Sequence, residues 1–231
     1  VALLGPTTRE LVTAIEATWL AGATTVVLQL PMRMGAIDEF VAQTRARILS
    51  ADSAVVIADP SLSGFLAPEP EDPAVLLYPD IVAAAGNTMG FQTPKEDPSA
   101  LAILQFTSGS TSDPKGVMLP QECVCNNIDA IAAGAHVDPS SDVVVSWLPL
   151  YHDMGLIGLF GTCITTGMDL VLSAPQDFLA QPGRWMQWMA DHRGTITAGP
   201  NFSYALAARA LRRMEGLDLS QWRIAANGAE H

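Results

Sequence analysis

The chain has 231 residues, 49% of them hydrophobic and 16% charged, which supports a large buried core and excludes compositional disorder. Its 24 acidic residues against 12 basic ones leave a formal charge of −12, which argues against generic attraction to nucleic acid or to an anionic membrane surface. No apolar run reaches the roughly 18 residues of a membrane span and no basic leader opens the chain, so a cytoplasmic protein is expected.

From the N-terminus, short apolar runs alternate with stretches of helical period: "VALLG", "TRELVTAIEATWLAGA", "TTVVLQL", "AIDEFVAQTRARILS" and "SAVVIAD". That alternation marks βαβ units, and hence an α/β fold of parallel-rich sheets with flanking helices. Thr7, followed three residues later by Glu10, predicts a capping box at the first helix. Residues 87–99, "NTMGFQTPKEDPS", have two prolines and no periodicity, which places a division near residue 98, with one subdomain over 1–97 and a second over 98–231.

After the division come the strand "LAILQF", a loop, the strand "GVML", a helix from about Gln121 to Gly134 and the strand "VVVSWL". A helix through "MGLIGLFGTCITTG", strand "DLVLSA", helix "GRWMQWMADH", strand "GTITAG", helix "NFSYALAARALRRM" and strand "WRIAANG" follow. Cys123, Cys125 and Cys163 fit neither a disulfide framework nor a zinc pattern and are expected to be reduced and mostly packed, and no metal ligands are predicted. Beginning at Val1 inside an apolar run and stopping after another, the sequence reads as a piece of a longer protein.

The loop "TSGSTSDPKG", residues 107–116, is rich in Ser, Thr and Gly and has one cation, Lys115. Backbone N–H groups and hydroxyls in such a loop suit phosphate oxygens, although a short stretch of this kind also fits a polar surface turn. A Walker loop is excluded, because Pro114 precedes Lys115 and Gly116 follows it, and no nucleophile elbow surrounds Ser108 or Ser110. Farther on, "SWLPLYHDMGLIG", residues 146–158, places His152 and Asp153 where a strand turns into a helix, a position that fits either a ligand contact or a helix cap.

The string "LQFTSGSTSDPKGVMLP" resembles the phosphate loop of the adenylate-forming superfamily, with every fixed position matched from Thr107, Ser108, Gly109, Ser110 and Thr111 to Pro114, Lys115 and Gly116. "WLPLYHDMGL" is similar to the fatty acyl-AMP ligase branch, "AGPNFSYALAAR" resembles its acyl-pocket segment, and "NGAE" (Asn227, Gly228, Ala229, Glu230) its adenine-contacting segment. His231 departs from the pattern, in which proline commonly follows the glutamate.

The resemblance implies part of the large N-terminal domain of such an enzyme. The magnesium-holding glutamate, the ribose-gripping aspartate and the C-terminal domain with its catalytic lysine are expected downstream and absent here, so the piece alone is expected to be inactive. It further implies ATP and Mg²⁺ as cofactors, a medium- or long-chain fatty acid as substrate, and an acyl carrier protein as partner, with coenzyme A as the alternative acceptor. Thr107 to Thr111 and Lys115 would meet the phosphates, His152 would orient the carboxylate, and Asn227 to Glu230 would contact adenine. Trp147, Met154, Ile157 and Gly199, Pro200, Asn201 and Phe202 would line an acyl channel, although the helical spacing of Phe202, Leu206 and Leu211 also fits an ordinary core helix. A reading of another class is a non-catalytic nucleotide- or acyl-binding module on the same fold.

Overall fold

Strand β1 (Ala2–Leu4) is wholly buried, as the central strand of a parallel sheet covered on both faces must be. A computed structural model describes residues 1–31, 37–66, 69–86, 90–107 and 115–228. The chain divides into two compact units, Val1–Val124 and Cys125–His231.

In the first unit, β1 joins β2 (Val26–Val27), β3 (Val55–Ala58) and β4 (Ala74–Leu77) in the parallel order β2-β1-β3-β4. Helix α1 (Arg9–Leu20) leads from β1 to β2, and α2 (Ile37–Ser50) from β2 to β3. Each buries one stripe at helical spacing: Leu11, Ile15 and Thr18 on α1, Phe40, Thr44 and Ile48 on α2. The short helices α3 (Pro60–Ser63) and α4 (Tyr78–Ala84) follow β3 and β4.

The cap of α1 differs from the expected one by a residue. Thr8, not Thr7, has the extended backbone of an N-cap, and its hydroxyl accepts the Leu11 N–H at 3.4 Å. Glu10 therefore stands at the second helical position, where its own backbone N–H and then the Thr8 hydroxyl hold its carboxyl below the usual range.

Strands β5 (Leu101–Phe106) and β6 (Gly116–Pro120) form an antiparallel hairpin. Thr25 ties β5 back to the segment before β2, its N–H donating to Ala102 O at 2.9 Å and its carbonyl accepting the Leu104 N–H at 3.0 Å. Both strands of this hairpin fall within the first compact unit, Val1–Val124.

Helix α5 (Gln121–Gly134) spans that division. In the second unit β7 (Val143–Ser146), β8 (Asp169–Leu172), β9 (Ile196–Gly199) and β10 (Ile224–Asn227) run parallel in the order β10-β9-β7-β8. The parallel sheets with flanking helices are those the alternation of the sequence predicts. A π-helix, Met154–Gly161, continues into α6 (Thr162–Thr166) between β7 and β8. Helices α7 (Pro175–Ala180) and α8 (Gly183–Asp191) lead to β9, and α9 (Asn201–Leu211) leads to β10.

Three aromatic rings centre this core. Trp147 stacks on Phe178 at 3.9 Å, and Trp185 meets both edge-on at 5.8 and 5.7 Å. The Trp185 indole N–H donates to Thr197 Oγ1 at 2.9 Å, and that hydroxyl donates to Val145 O at 2.6 Å, so the buried polar atoms of α8, β9 and β7 satisfy one another. Cys163 is buried, and burial pushes its thiol up to about 12, while Cys123 and Cys125 are exposed on α5, whose described buried residue is Ile128. Among the described residues no helix is long and apolar enough to cross a membrane.

Trp185→Ala is expected to destabilise the second unit by about 3–5 kcal/mol, seen as a lower urea midpoint. An unchanged midpoint would remove Trp185 from the centre of the core.

Candidate active site

In the second sheet the chain passes from β7 to β8 on one side and returns to β9 on the other. The segments leaving the carboxyl ends of β7 and β9 diverge there, which is where open α/β sheets hold ligands. Three sequence-predicted stretches meet at this edge: Trp147 to Ile157 after β7, Gly199 to Phe202 at the end of β9, and Asn227 with Gly228 at the end of β10. Asn227 pairs with Gly199 in register, and the Gly228 N–H donates to Gly199 O at 3.4 Å. A Cβ on Gly228 would stand 3.3 Å from Met154 Cε, so the Met154 side chain reaches the end of β10.

The turn carrying His152 is tightly built. The His152 N–H donates to Pro149 O at 3.2 Å, and His152 O accepts the Leu156 N–H at 2.8 Å. His152 Nδ1 lies 2.7 Å from Asp153 Oδ1, and the same carboxylate oxygen caps the π-helix by accepting the Met154 N–H at 2.7 Å. With Nδ1 engaged, Nε2 is the nitrogen left for another partner. The His152 side chain is about half exposed, at 49%.

Gly155 is a site residue that sequence reasoning missed. A Cβ there would fall 2.3 Å from Pro149 O and 3.1 Å from Pro149 C, so only glycine lets the π-helix start against the turn that carries His152. The available signal was a glycine two residues after Asp153 at the head of an otherwise apolar run. Gly199 is equally confined, since a Cβ would meet Ser203 Oγ at 2.5 Å and Trp185 Cη2 at 3.2 Å.

The expected acyl-channel residues are not all alike. Trp147 and Ile157 are buried in the core of the unit, and the Trp147 indole nitrogen is buried without a hydrogen-bond partner among the described residues. Met154 and Pro200 are partly buried, Asn201 is exposed, and Phe202 is 48% exposed at the start of α9.

Of the predicted phosphate loop, Ser108, Gly109, Ser110, Thr111 and Pro114 lie outside the described residues, as do Ala229, Glu230 and His231. The two ends of the loop are described. Phe106 pairs with Gly116, and the Thr107 N–H donates to Lys115 O at 3.1 Å, closing the base of the β5–β6 hairpin. Thr107 and Lys115 are both exposed there, a hydroxyl and a cation available to phosphate oxygens. Among the described residues no three His, Cys, Asp or Glu side chains group as a metal site.

A cavity of about 30 Å³ lies in the first unit under the ion pair of Arg45 with Asp72, lined by Val41, Ile48, Val56, Phe65 and Val75. It includes none of the candidate site residues.

These features define an α/β protein with candidate site residues at the carboxyl edge of a parallel sheet. The chain belongs to the AMP-binding enzyme family, which it matches over residues 1–231. It is similar to a solved fatty acyl-adenylate ligase of L. pneumophila in complex with acyl adenylate and pyrophosphate, with a TM-score of 0.86 and 29% identity over 99% of this chain and 40% of that one. It is 34% identical over 242 residues to a Mycobacterium tuberculosis protein named as a fatty-acid–CoA ligase, FadD25, covering 99% of this chain and 41% of the relative. The medium-chain-fatty-acid–[acyl-carrier-protein] ligase TtuA of Teredinibacter turnerae is 36% identical over 146 residues, covering 62% of this chain and 23% of that protein. The chain thus spans well under half the length of these relatives, 41% at most.

Gly155→Ala is expected to force the Pro149–His152 turn out of place, at a cost of about 1–3 kcal/mol in thermal or urea unfolding. Unaltered stability would mean that the helix start and the turn are less closely packed.

Proposed function

We propose that the whole protein activates a medium- or long-chain fatty acid as acyl-AMP, using ATP and Mg²⁺, and passes the acyl group to the thiol of an acyl carrier protein. The observation that carries the reading is the complete set of fixed loop positions from Thr107 to Gly116 in a chain that matches the AMP-binding enzyme family from end to end. In this reading residues 98–231 form the nucleotide-binding subdomain, residues 1–97 a first α/β subdomain, and the reaction takes place in the cytoplasm.

A carboxylate oxygen attacks the α-phosphorus of ATP, forming the acyl–phosphate anhydride bond while the bond from the α-phosphorus to the bridging oxygen breaks and pyrophosphate leaves with that electron pair. Charge gathers on the phosphates, so fixed donors stabilise the transition state most. Lys115, the Thr107, Ser108, Ser110 and Thr111 hydroxyls and the Gly109 backbone serve as those donors. Bound Mg²⁺ would neutralise phosphate charge, and no described side chain is assigned to hold it. His152, with Nδ1 engaged by Asp153, presents Nε2 to orient the fatty-acid carboxylate. Asn227, Gly228, Ala229 and Glu230 contact adenine.

Trp147, Met154, Ile157 and Gly199 to Phe202 make the acyl wall, where each buried methylene contributes about 0.8 kcal/mol. Transfer to coenzyme A is the second reading, favoured by the end-to-end similarity to FadD25. Mass spectrometry of reactions holding fatty acid, ATP, Mg²⁺ and either acceptor separates the two. Acyl-AMP followed by acyl-carrier protein is expected. Rapid acyl-CoA formation would replace the acceptor and keep the adenylation, and no acyl-AMP with any fatty acid would defeat the proposal.

Lys115→Ala is expected to lower the rate of fatty-acid-dependent ATP–pyrophosphate exchange about 10- to 150-fold through loss of a charge-assisted contact, with folding intact because the side chain is exposed. Wild-type exchange in this variant would take Lys115 out of the phosphate site.

A further inference from the structure

The three strands that bring candidate site residues together are joined at their opposite ends by one buried carboxylate. Asp142 stands just before β7 and is 4% exposed. Its Oδ1 accepts from Thr195 Oγ1 at 2.7 Å and from Arg223 Nε at 3.3 Å, and its Oδ2 accepts from the Asp138 N–H at 2.9 Å and from Arg223 Nη2 at 2.5 Å. Thr195 immediately precedes β9, Arg223 immediately precedes β10, and Thr195 Oγ1 also accepts the Val143 N–H, the first of β7, at 3.0 Å. Arg223 donates further to Ala135 O at 2.8 Å and His136 O at 3.4 Å, the carbonyls that follow α5. Burial opposes the charge of Asp142, and the Asp138 N–H, the guanidinium and the Thr195 hydroxyl together still hold its carboxyl below the usual range.

Among the described residues β10 pairs with β9, in register from Ile224 against Ile196 to Asn227 against Gly199. Tyr204 Oη donates to Ala226 O at 2.7 Å and links β10 to α9, and the bidentate pair of Arg223 with Asp142 fixes its starting end against β7 and β9.

We propose that Arg223 is a positioning residue for the nucleotide, setting through β10 where Asn227 and Gly228 stand beside Gly199, roughly 13 Å away along four strand residues. The inference rests on the adenine contacts proposed for Asn227 and Gly228.

The test uses the whole protein with Arg223→Lys, which keeps the charge and loses the fork, and with the pair Arg223→Met and Asp142→Asn, which leaves no unpaired buried charge. Calorimetric titration with a non-hydrolysable ATP analogue, the KM for fatty acid in pyrophosphate exchange and the melting temperature are measured for each. Nucleotide affinity is expected to fall about tenfold in folded Arg223→Lys, with the KM for fatty acid nearly unchanged. A purely structural role would lower the melting temperature and the active fraction while leaving nucleotide affinity alone, and that result overturns the inference, as does wild-type affinity in both variants. Wild-type protein that neither binds the analogue nor forms acyl-AMP would instead defeat the proposed function and remove the ground of this inference with it.

Discussion

Strands of four residues can present side chains at one edge of a sheet only if something fixes their other ends. In the second unit that constraint is the desolvated carboxylate of Asp142, which cannot stay buried and charged without its four donors. Those donors come from the turn before β7, the residue before β9 and the residue before β10, so satisfying one charge aligns three strands. The carboxyl edge then inherits the alignment, with Gly199, Asn227, Gly228 and Met154 brought together there.

The second determinant is the departure of the chain from β7. Asp153 faces two ways, toward His152 Nδ1 and toward the first N–H of the π-helix, so the imidazole orientation and the helix start depend on the same oxygen. The π turn runs through a segment in which Leu156, Ile157, Leu159 and Phe160 are all buried, and a Cβ at Gly155 near its start would meet Pro149 O. Packing of the core and placement of a functional side chain are therefore coupled within ten residues.

Elements governed by local periodicity were legible in the sequence: α5 has the bounds its pattern implied, and the strand expected after the Ser/Thr/Gly-rich stretch is β6. The cap at α1 was misplaced by one because two threonines compete for it and only the extended backbone at Thr8 decides. A π turn has no periodic signature in a run that is apolar all round. The Asp142 cluster could not be read at all, since its members Thr195 and Arg223 lie 53 and 81 residues away along the chain. Motif strings located the strand ends at the candidate site because loops after parallel strands carry their own local chemistry, yet they gave no hint that Trp147 stacks on Phe178 within the core.

The most direct measurement is a crystal structure of the whole protein with a non-hydrolysable acyl-adenylate analogue. The adenine is expected against Asn227 and Gly228 beside Gly199, with the acyl carbonyl within hydrogen-bonding reach of His152 Nε2. An analogue bound with none of these residues in contact would contradict the assignment of the site to the carboxyl edge of β7, β9 and β10.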